Sequence, residues 1–303
     1  MRYKFCSKFL FLFVIFLDLF CSNSLCAPIS DFVKPDTPPK FFAIDIDGTF
    51  YINDETKFKR NVKALKLLKD KNVTPFFCTG RSFNAVKKIF GAEFQNESSY
   101  KLLPGIYSNG SLIYNSYGIL IHKSVFKSDF IEKFIQFVND KRYRNHVVFF
   151  GVVDIFSLES SVDPKDELTL DLDPIVKSDA QIKNEDITGI RIKKIDITVA
   201  GSSEDTDYVK FDEGDVTVLF PEKSLKDLSL KKLVESMGGK ISECTYIGNE
   251  LNDLKVMSFP DILSFAVGDA IDKIKDIAKW VLDLKHDECA FEKVVDLLYG
   301  EES

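Results

Sequence analysis

A chain of 303 residues that is 45% apolar and 29% charged, with ten prolines and fifteen glycines, can build one large α/β domain or two smaller units. It is too long for a disulfide knot and too apolar and too regular for a collagen-like or disordered chain. Forty basic against 47 acidic residues leave a net charge of −7, which argues against a binder of phosphate backbones and so against nucleic acid as a partner.

At the start of the chain Arg2, Lys4 and Lys8 precede an apolar run from Phe9 to Leu17 and a small-residue region from Ser22 to Ala27. That is the grammar of a secretory signal peptide, expected over residues 1–26. The run is shorter than the ~20 residues a membrane helix needs, and Asp18 interrupts its continuation. The expectation is a secreted, acidic protein that does not span a membrane once the leader is removed. Beyond the leader stand Cys78, Cys244 and Cys289, none in a CxxC pair, and three scattered histidines. Neither a disulfide framework nor a zinc site is expected, so a metal would need oxygen ligands.

Residues 27–40, rich in proline, read as an extended linker. The fold is expected to begin at Phe41, where Phe41-Phe42-Ala43-Ile44 has the unbroken apolar character of a parallel strand buried on both faces. A helix follows through Val62, Leu65 and Leu68. Next come a strand from Val73 to Cys78, a helix capped by Ser82 and running to Phe90, a strand from Gly105 to Ser108, and a hairpin over Ile113 to Ile121. This alternation predicts a doubly wound parallel sheet. The texture then changes: Phe126 to Val138 has amphipathic helical spacing, and residues 154–186 carry ten acidic groups against three lysines. An α+β subdomain inserted over residues 124–214 accounts for this, with the core formed by 41–123 and 215–303. Strands are expected at Ile190 to Val199, Val216 to Phe220, Thr245 to Ile247 and Ile262 to Val267. Helices are expected at Leu228 to Met237, Leu251 to Met257 and Ile271 to Lys279, with a terminal helix through Leu298.

Asp45-Ile46-Asp47-Gly48-Thr49 is the most informative segment. Strand period puts Asp45 and Asp47 on one side of the chain, and Gly48 permits the turn away. Two carboxylates at the carboxyl end of a strand repel each other and invite a hard divalent cation, for which Mg²⁺ is suited. A calcium loop is excluded, because Gly48 is fourth rather than sixth and Thr56 stands at the twelfth position. Alone, the pair reads equally as a turn after the strand.

In chain order there follow Thr79-Gly80-Arg81 at a strand end, Ser108-Asn109-Gly110, Lys226 ahead of a helix, and Gly248-Asn249-Glu250-Leu251-Asn252-Asp253 after an apolar strand. With these motifs the sequence resembles the haloacid-dehalogenase-like (HAD) superfamily over residues 41–299, and within it the Cof-type phosphatases with a C2-type cap. The resemblance implies that Asp45 is the nucleophile that forms an aspartyl-phosphate and that Asp47 is the general acid and base. It implies that Thr79, Gly80, Asn109, Gly110, Lys226 and Asn252 contact the phosphate, with Thr79 and Lys226 also catalytic. Asp45, Asp47, Asn249 and Asp253 would hold Mg²⁺. Arg81 reads as a structural ion-pair former. The implied activity is hydrolysis of small phosphorylated metabolites, sugar phosphates among them.

Three departures from the family pattern bear on that activity. Asn249 stands where relatives carry a metal-ligating aspartate, Asp227 replaces a glycine, and Asp269 adds a carboxylate where relatives show an Asn-Ala pair near the phosphate. Asn249 and Asp269 together open an alternative: a HAD-fold binding protein with impaired catalysis.

Overall fold

The structure is a computed structural model that describes residues 27–301 apart from Pro164; the leader expected over residues 1–26 lies outside the described residues. The larger sheet runs, in spatial order, through Ala27–Pro28, Trp280–Val281, Leu263–Ala266, Cys244–Gly248, Phe41–Ile44, Thr74–Cys78, Gly105–Tyr107, Leu112–Tyr114 and Leu120–Lys123. The first seven are parallel and the last two antiparallel. Phe41–Ile44, at its centre, is buried at every position, which is why no polar residue alternates within it.

Helix Glu55–Asp70 starts where the Asp54 side chain accepts from the Lys57 amide at 2.9 Å, and Phe83–Ile89 starts where Ser82 accepts from the Ala85 amide. In both cases the cap satisfies an amide that has no partner inside the helix. Glu55–Asp70 packs with Ala92–Ser98 and with the terminal helix Ala290–Tyr299. Between these helices and the sheet, Phe50 meets Phe58, Phe77, Phe90, Phe94 and Phe291 largely edge to face. Many of the chain's phenylalanines are therefore core material.

The smaller sheet has the order Tyr208–Glu213, Val216–Pro221, Gly189–Lys193, Val147–Phe150, Ile155–Ser157, Ile175–Val176. Helix Ser128–Asp140 covers one face of it, packing Phe130, Phe134 and Val138 on Phe149, Ile190, Ile192 and Leu219. The other face carries Val148, Phe150, Val216 and Val218, joined by Leu168.

Four expectations are corrected. Residues 27–40 are not a free linker: Ala27–Pro28 pairs with Trp280–Val281 at the sheet edge, and Phe32 packs on Phe265 and Trp280. The insertion does not end at residue 214, because the Gly214-Asp215 turn, with φ +60° at Gly214, folds Val216–Pro221 back onto Tyr208–Glu213. That strand therefore belongs to the cap, and the chain returns to the core only at about residue 222. The strand expected over Ile190 to Val199 stops at Lys193. The helix expected over Ile271 to Lys279 covers only Asp272–Lys275. Helix Ala92–Ser98 and the strand Trp280–Val281 were not legible in the sequence.

Candidate active site

In the parallel sheet Ile44 is in register with Phe77 on one side and Ile247 on the other. The residues just past these strands, Asp45, Thr79 and Asn249, consequently emerge along one edge, where open α/β sheets bind ligands. A cleft of about 540 Å³ lies there between core and cap, within the size range of small-molecule sites. The core contributes Asp45, Asp47, Gly48, Gly80, Arg81 and residues 249–252 to its walls, and the cap faces them with residues 211–214, Glu167, Leu170 and Arg191.

Lys226 organises the floor. It is the first residue of helix Lys226–Ser236, is 1% exposed, and reaches Asp45 Oδ1 at 2.6 Å and Asp253 Oδ1 at 2.7 Å. Burial alone would lower its pKa, but the two carboxylates outweigh that and hold it well above the ordinary lysine value. One ammonium thus serves two buried carboxylates. The shortfall falls on Asp45, whose pKa is pushed up to about 7, chiefly by burial and further by Asp253, against the opposing pull of Lys226.

Asp253 is fully engaged. Its Oδ1 also accepts from the Tyr246 hydroxyl at 2.5 Å, and its Oδ2 accepts from the amides of Asn249 and Glu250 at 2.8 and 3.1 Å. With both oxygens spent, Asp253 holds Lys226 and the 249–250 loop in place and is not left to ligate a metal, contrary to the expectation from the motif. Tyr246 is a part of this network that the sequence did not disclose; only its place in the strand leading to Gly248 could have hinted at it.

The turn after Asp45 is tightly determined. Gly48 has φ +67°, and a Cβ there would lie 2.2 Å from Asn249 Nδ2, so both the backbone conformation and the approach of Asn249 require glycine. Asn249 Oδ1 accepts from Thr49 Oγ1 at 3.2 Å. Asp47 reaches outward, and Arg81 forks onto both its oxygens at 2.7 and 2.8 Å, the ion pair expected of Arg81.

Thr79 is fully buried, and its hydroxyl accepts from the Arg81 amide at 3.1 Å, which leaves the hydroxyl proton for another acceptor. Gly80 and Asn252 line the cleft, and Asn252 Oδ1 has no hydrogen-bond partner among the described residues.

Asn109 and Gly110 are placed differently from the expectation that they bind phosphate. Asn109 is buried and donates to the Ser224 carbonyl at 3.0 Å. Gly110, at φ +102°, accepts from Ser229 Oγ at 2.9 Å, and a Cβ there would meet the Leu225 carbonyl at 2.7 Å. Both fasten the return from the cap to helix Lys226–Ser236. Asp269 does not face the cleft as an unpaired charge either. His286 donates its amide to Asp269 Oδ1 at 2.8 Å and sets Nδ1 2.6 Å from Oδ2. Partial burial raises the Asp269 pKa, but these bonds outweigh it and leave the carboxyl below its usual range.

Among the described residues no group of three or more histidine, cysteine, aspartate or glutamate side chains could hold a metal ion. The donors available are mixed. Asp45 keeps one oxygen without a hydrogen bond among the described residues, and Asn249, which lines the same cleft, offers an amide oxygen that accepts from Thr49 Oγ1. One carboxylate with neutral oxygens fits Mg²⁺, which keeps several waters and takes substrate phosphate as a ligand.

The model of the haloacid dehalogenase-like hydrolase family matches residues 42–293. The 5-amino-6-(5-phospho-D-ribitylamino)uracil phosphatase YcsE of Bacillus subtilis is 26% identical over 253 residues, which are 82% of this chain and 92% of that protein. A HAD/COF-like hydrolase from Plasmodium vivax has the same fold at TM-score 0.75 and 20% identity, over 86% of this chain and 96% of its own. A HAD subclass IIB sugar phosphatase matches at TM-score 0.67 and 18% identity, over 85% and 98%. With a family match across nearly all of the described chain and a capped site built on its motifs, the protein belongs to the haloacid dehalogenase-like hydrolases and is an enzyme.

Proposed function

We propose that this enzyme is a phosphoric monoester hydrolase for small phosphorylated metabolites, that it depends on Mg²⁺, and that the leader directs it to the secretory route. The observation that carries the catalytic reading is the buried Lys226 held between Asp45, which lines the cleft, and Asp253 beneath it. A binding surface has no use for a carboxylate whose pKa is raised by burial and whose second oxygen is left available. The phosphatase named among the relatives supports the same class.

In this reading an Asp45 oxygen attacks phosphorus, and the P–O bond to the leaving alcohol breaks as Asp47 supplies the alcohol with a proton. Asp47, now a carboxylate, takes a proton from water, whose oxygen attacks the aspartyl-phosphate and frees inorganic phosphate and Asp45. Lys226 and the Thr79 hydroxyl offset the charge gathering on the phosphoryl oxygens. Arg81 is a positioning residue that holds Asp47 beside the cleft as its resting carboxylate, and Asp47 leaves this ion pair and takes up a proton before it serves as the acid. Asp45, the Asp47 carbonyl and Asn249 would hold Mg²⁺, which supplies neutralisation of phosphate charge when bound.

The test is p-nitrophenyl phosphate turnover across a Mg²⁺ titration, run on the parent, Asp45→Asn and Asn249→Asp. The parent is expected to turn over and Asp45→Asn to lose at least about a thousandfold in kcat. Asn249→Asp adds a charged ligand and is expected to lower the Mg²⁺ concentration for half-maximal rate by about tenfold or more. A folded parent that is silent at every Mg²⁺ concentration while Asn249→Asp is active would overturn the reading in favour of a binding protein.

A further inference from the structure

The cap wall of the cleft carries an arginine with no role in the chemistry above. Arg191 lies on Gly189–Lys193 between Ile190 and Ile192, whose side chains pack under helix Ser128–Asp140. Strand alternation therefore turns Arg191 to the opposite face, towards the core, and it lines the cleft. It is only 8% exposed. One side of its guanidinium donates to Glu213 Oε2 at 2.7 Å, while its Nε is buried with no hydrogen-bond partner among the described residues. A buried cationic donor left unmatched costs stability, and its place on the cleft wall makes a ligand oxygen the natural partner.

The surroundings say what kind of oxygen. On the cap side Arg191 is accompanied by Glu213, Glu167 and Asp212, three carboxylates against one guanidinium. Arg191 is already neutralised by Glu213, so the wall as a whole repels anions while offering acceptors to hydroxyl groups. Phe211, beside them, supplies an apolar surface of the sort sugar carbons settle on. A phosphate ester whose remainder carries a second phosphate or a carboxylate meets net repulsion here. A neutral, hydroxyl-rich remainder finds both donors and acceptors.

We propose that Arg191, clamped by Glu213, is a specificity-determining residue that reads the non-phosphate part of the substrate, and that this part is an uncharged polyhydroxyl group. This rests on the phosphatase reading above and narrows it to polyol or sugar monophosphates, as against bisphosphates and acid-bearing phosphates.

The test compares kcat/KM in Mg²⁺ buffer for p-nitrophenyl phosphate, ribitol 5-phosphate, fructose 1,6-bisphosphate and 6-phosphogluconate. The parent is expected to favour ribitol 5-phosphate over the two more highly charged sugars. Arg191→Met is expected to lower the ratio of ribitol 5-phosphate to p-nitrophenyl phosphate turnover by about tenfold or more, mainly through KM. Asp212→Asn with Glu167→Gln is expected to improve 6-phosphogluconate relative to ribitol 5-phosphate. Because Arg191→Met removes a buried side chain and leaves Glu213 without its ion-pair partner, the double variant Arg191→Met/Glu213→Gln is run beside it and carries the measurement if the single variant misfolds. A parent that prefers the bisphosphate or 6-phosphogluconate, or a ratio that does not change in the folded variants, overturns this proposal while leaving the phosphatase reading intact. A folded parent inactive on all four esters overturns both.

Discussion

Asp45, Lys226 and Asp253 form a triad with one positive and two negative charges, in which neither Lys226 nor Asp253 is accessible. Neutralising one carboxylate should relieve the imbalance. In the absence of metal at pH 8, Asp45→Asn is therefore expected to melt at a higher temperature than the parent, even though it cannot act as a nucleophile; a lower melting temperature would show that the Asp45 charge is needed for folding. Asp253 is the opposite case, because four donors converge on its two oxygens. Asp253→Asn should cost about 3 kcal/mol in denaturant unfolding, since breaking a buried pair leaves groups unmatched, and turnover should fall with it as Lys226 loses its second anchor. Sequence motifs pointed to Asp45, Asp47, Thr79 and Lys226, and these gather at one sheet edge. They could not separate Asp253 from the metal ligands, because that depends on where Tyr246 and two backbone amides place their hydrogens.

Among the elements, the amino-terminal segment departs most from its reading. Its prolines suppress helix and regular pairing, so its residues read as a linker. Yet Phe32 sits at 5.1 Å between ring centroids from Trp280, edge on, and 5.6 Å from Phe265. Phe32→Ala should cost about 1–2 kcal/mol, less than a fully buried phenylalanine because the site is half open. The chain has one tryptophan, so its fluorescence reports this contact directly: emission should shift to longer wavelength in the variant, and an unchanged spectrum with unchanged stability would show that the segment does not dock in solution. The strand Val216–Pro221 teaches a related point. Its apolar run suits a core strand or a cap strand equally. The Gly214 turn that pairs it with Tyr208–Glu213 decides between them, and that pairing is a choice of partner rather than of local propensity.

For the whole molecule, the raised pKa of Asp45 couples folding to pH and metal. Asp45 binds its proton more tightly in the folded protein, with a pKa of about 7, than in the unfolded chain, where it titrates near ~3.9. This group's contribution is therefore greatest below the unfolded value and is lost as pH rises to about 7. Metal-free protein is expected to lose stability between pH 5 and pH 8, on the order of a few kcal/mol from this site before other groups are counted, and so to melt at a lower temperature at pH 8. Addition of Mg²⁺ at pH 8 should restore part of it, since a cation favours the ionised carboxylate and binding to the folded state alone stabilises it. Differential scanning fluorimetry at both pH values, with and without Mg²⁺, checks this; a metal effect as large in Asp45→Asn as in the parent would place the ion elsewhere.

The sequence by itself determined the α/β core, the presence of an inserted cap and the motif positions, because burial on both faces of a parallel sheet imposes unbroken apolar runs and the turns after them demand particular residues such as Gly48. Only the tertiary structure decided which of those residues share a cleft. Strand register brought Asp45, Thr79 and Asn249 to one edge, while Asn109 and Gly110 were drawn beneath the return from the cap. Arg191 and Glu213 came from separate strands of a sheet whose pairing no local pattern specifies. Side-chain proximity across such distances in sequence is fixed by the packing of whole sheets, and a single chain's local periodicity carries no record of it.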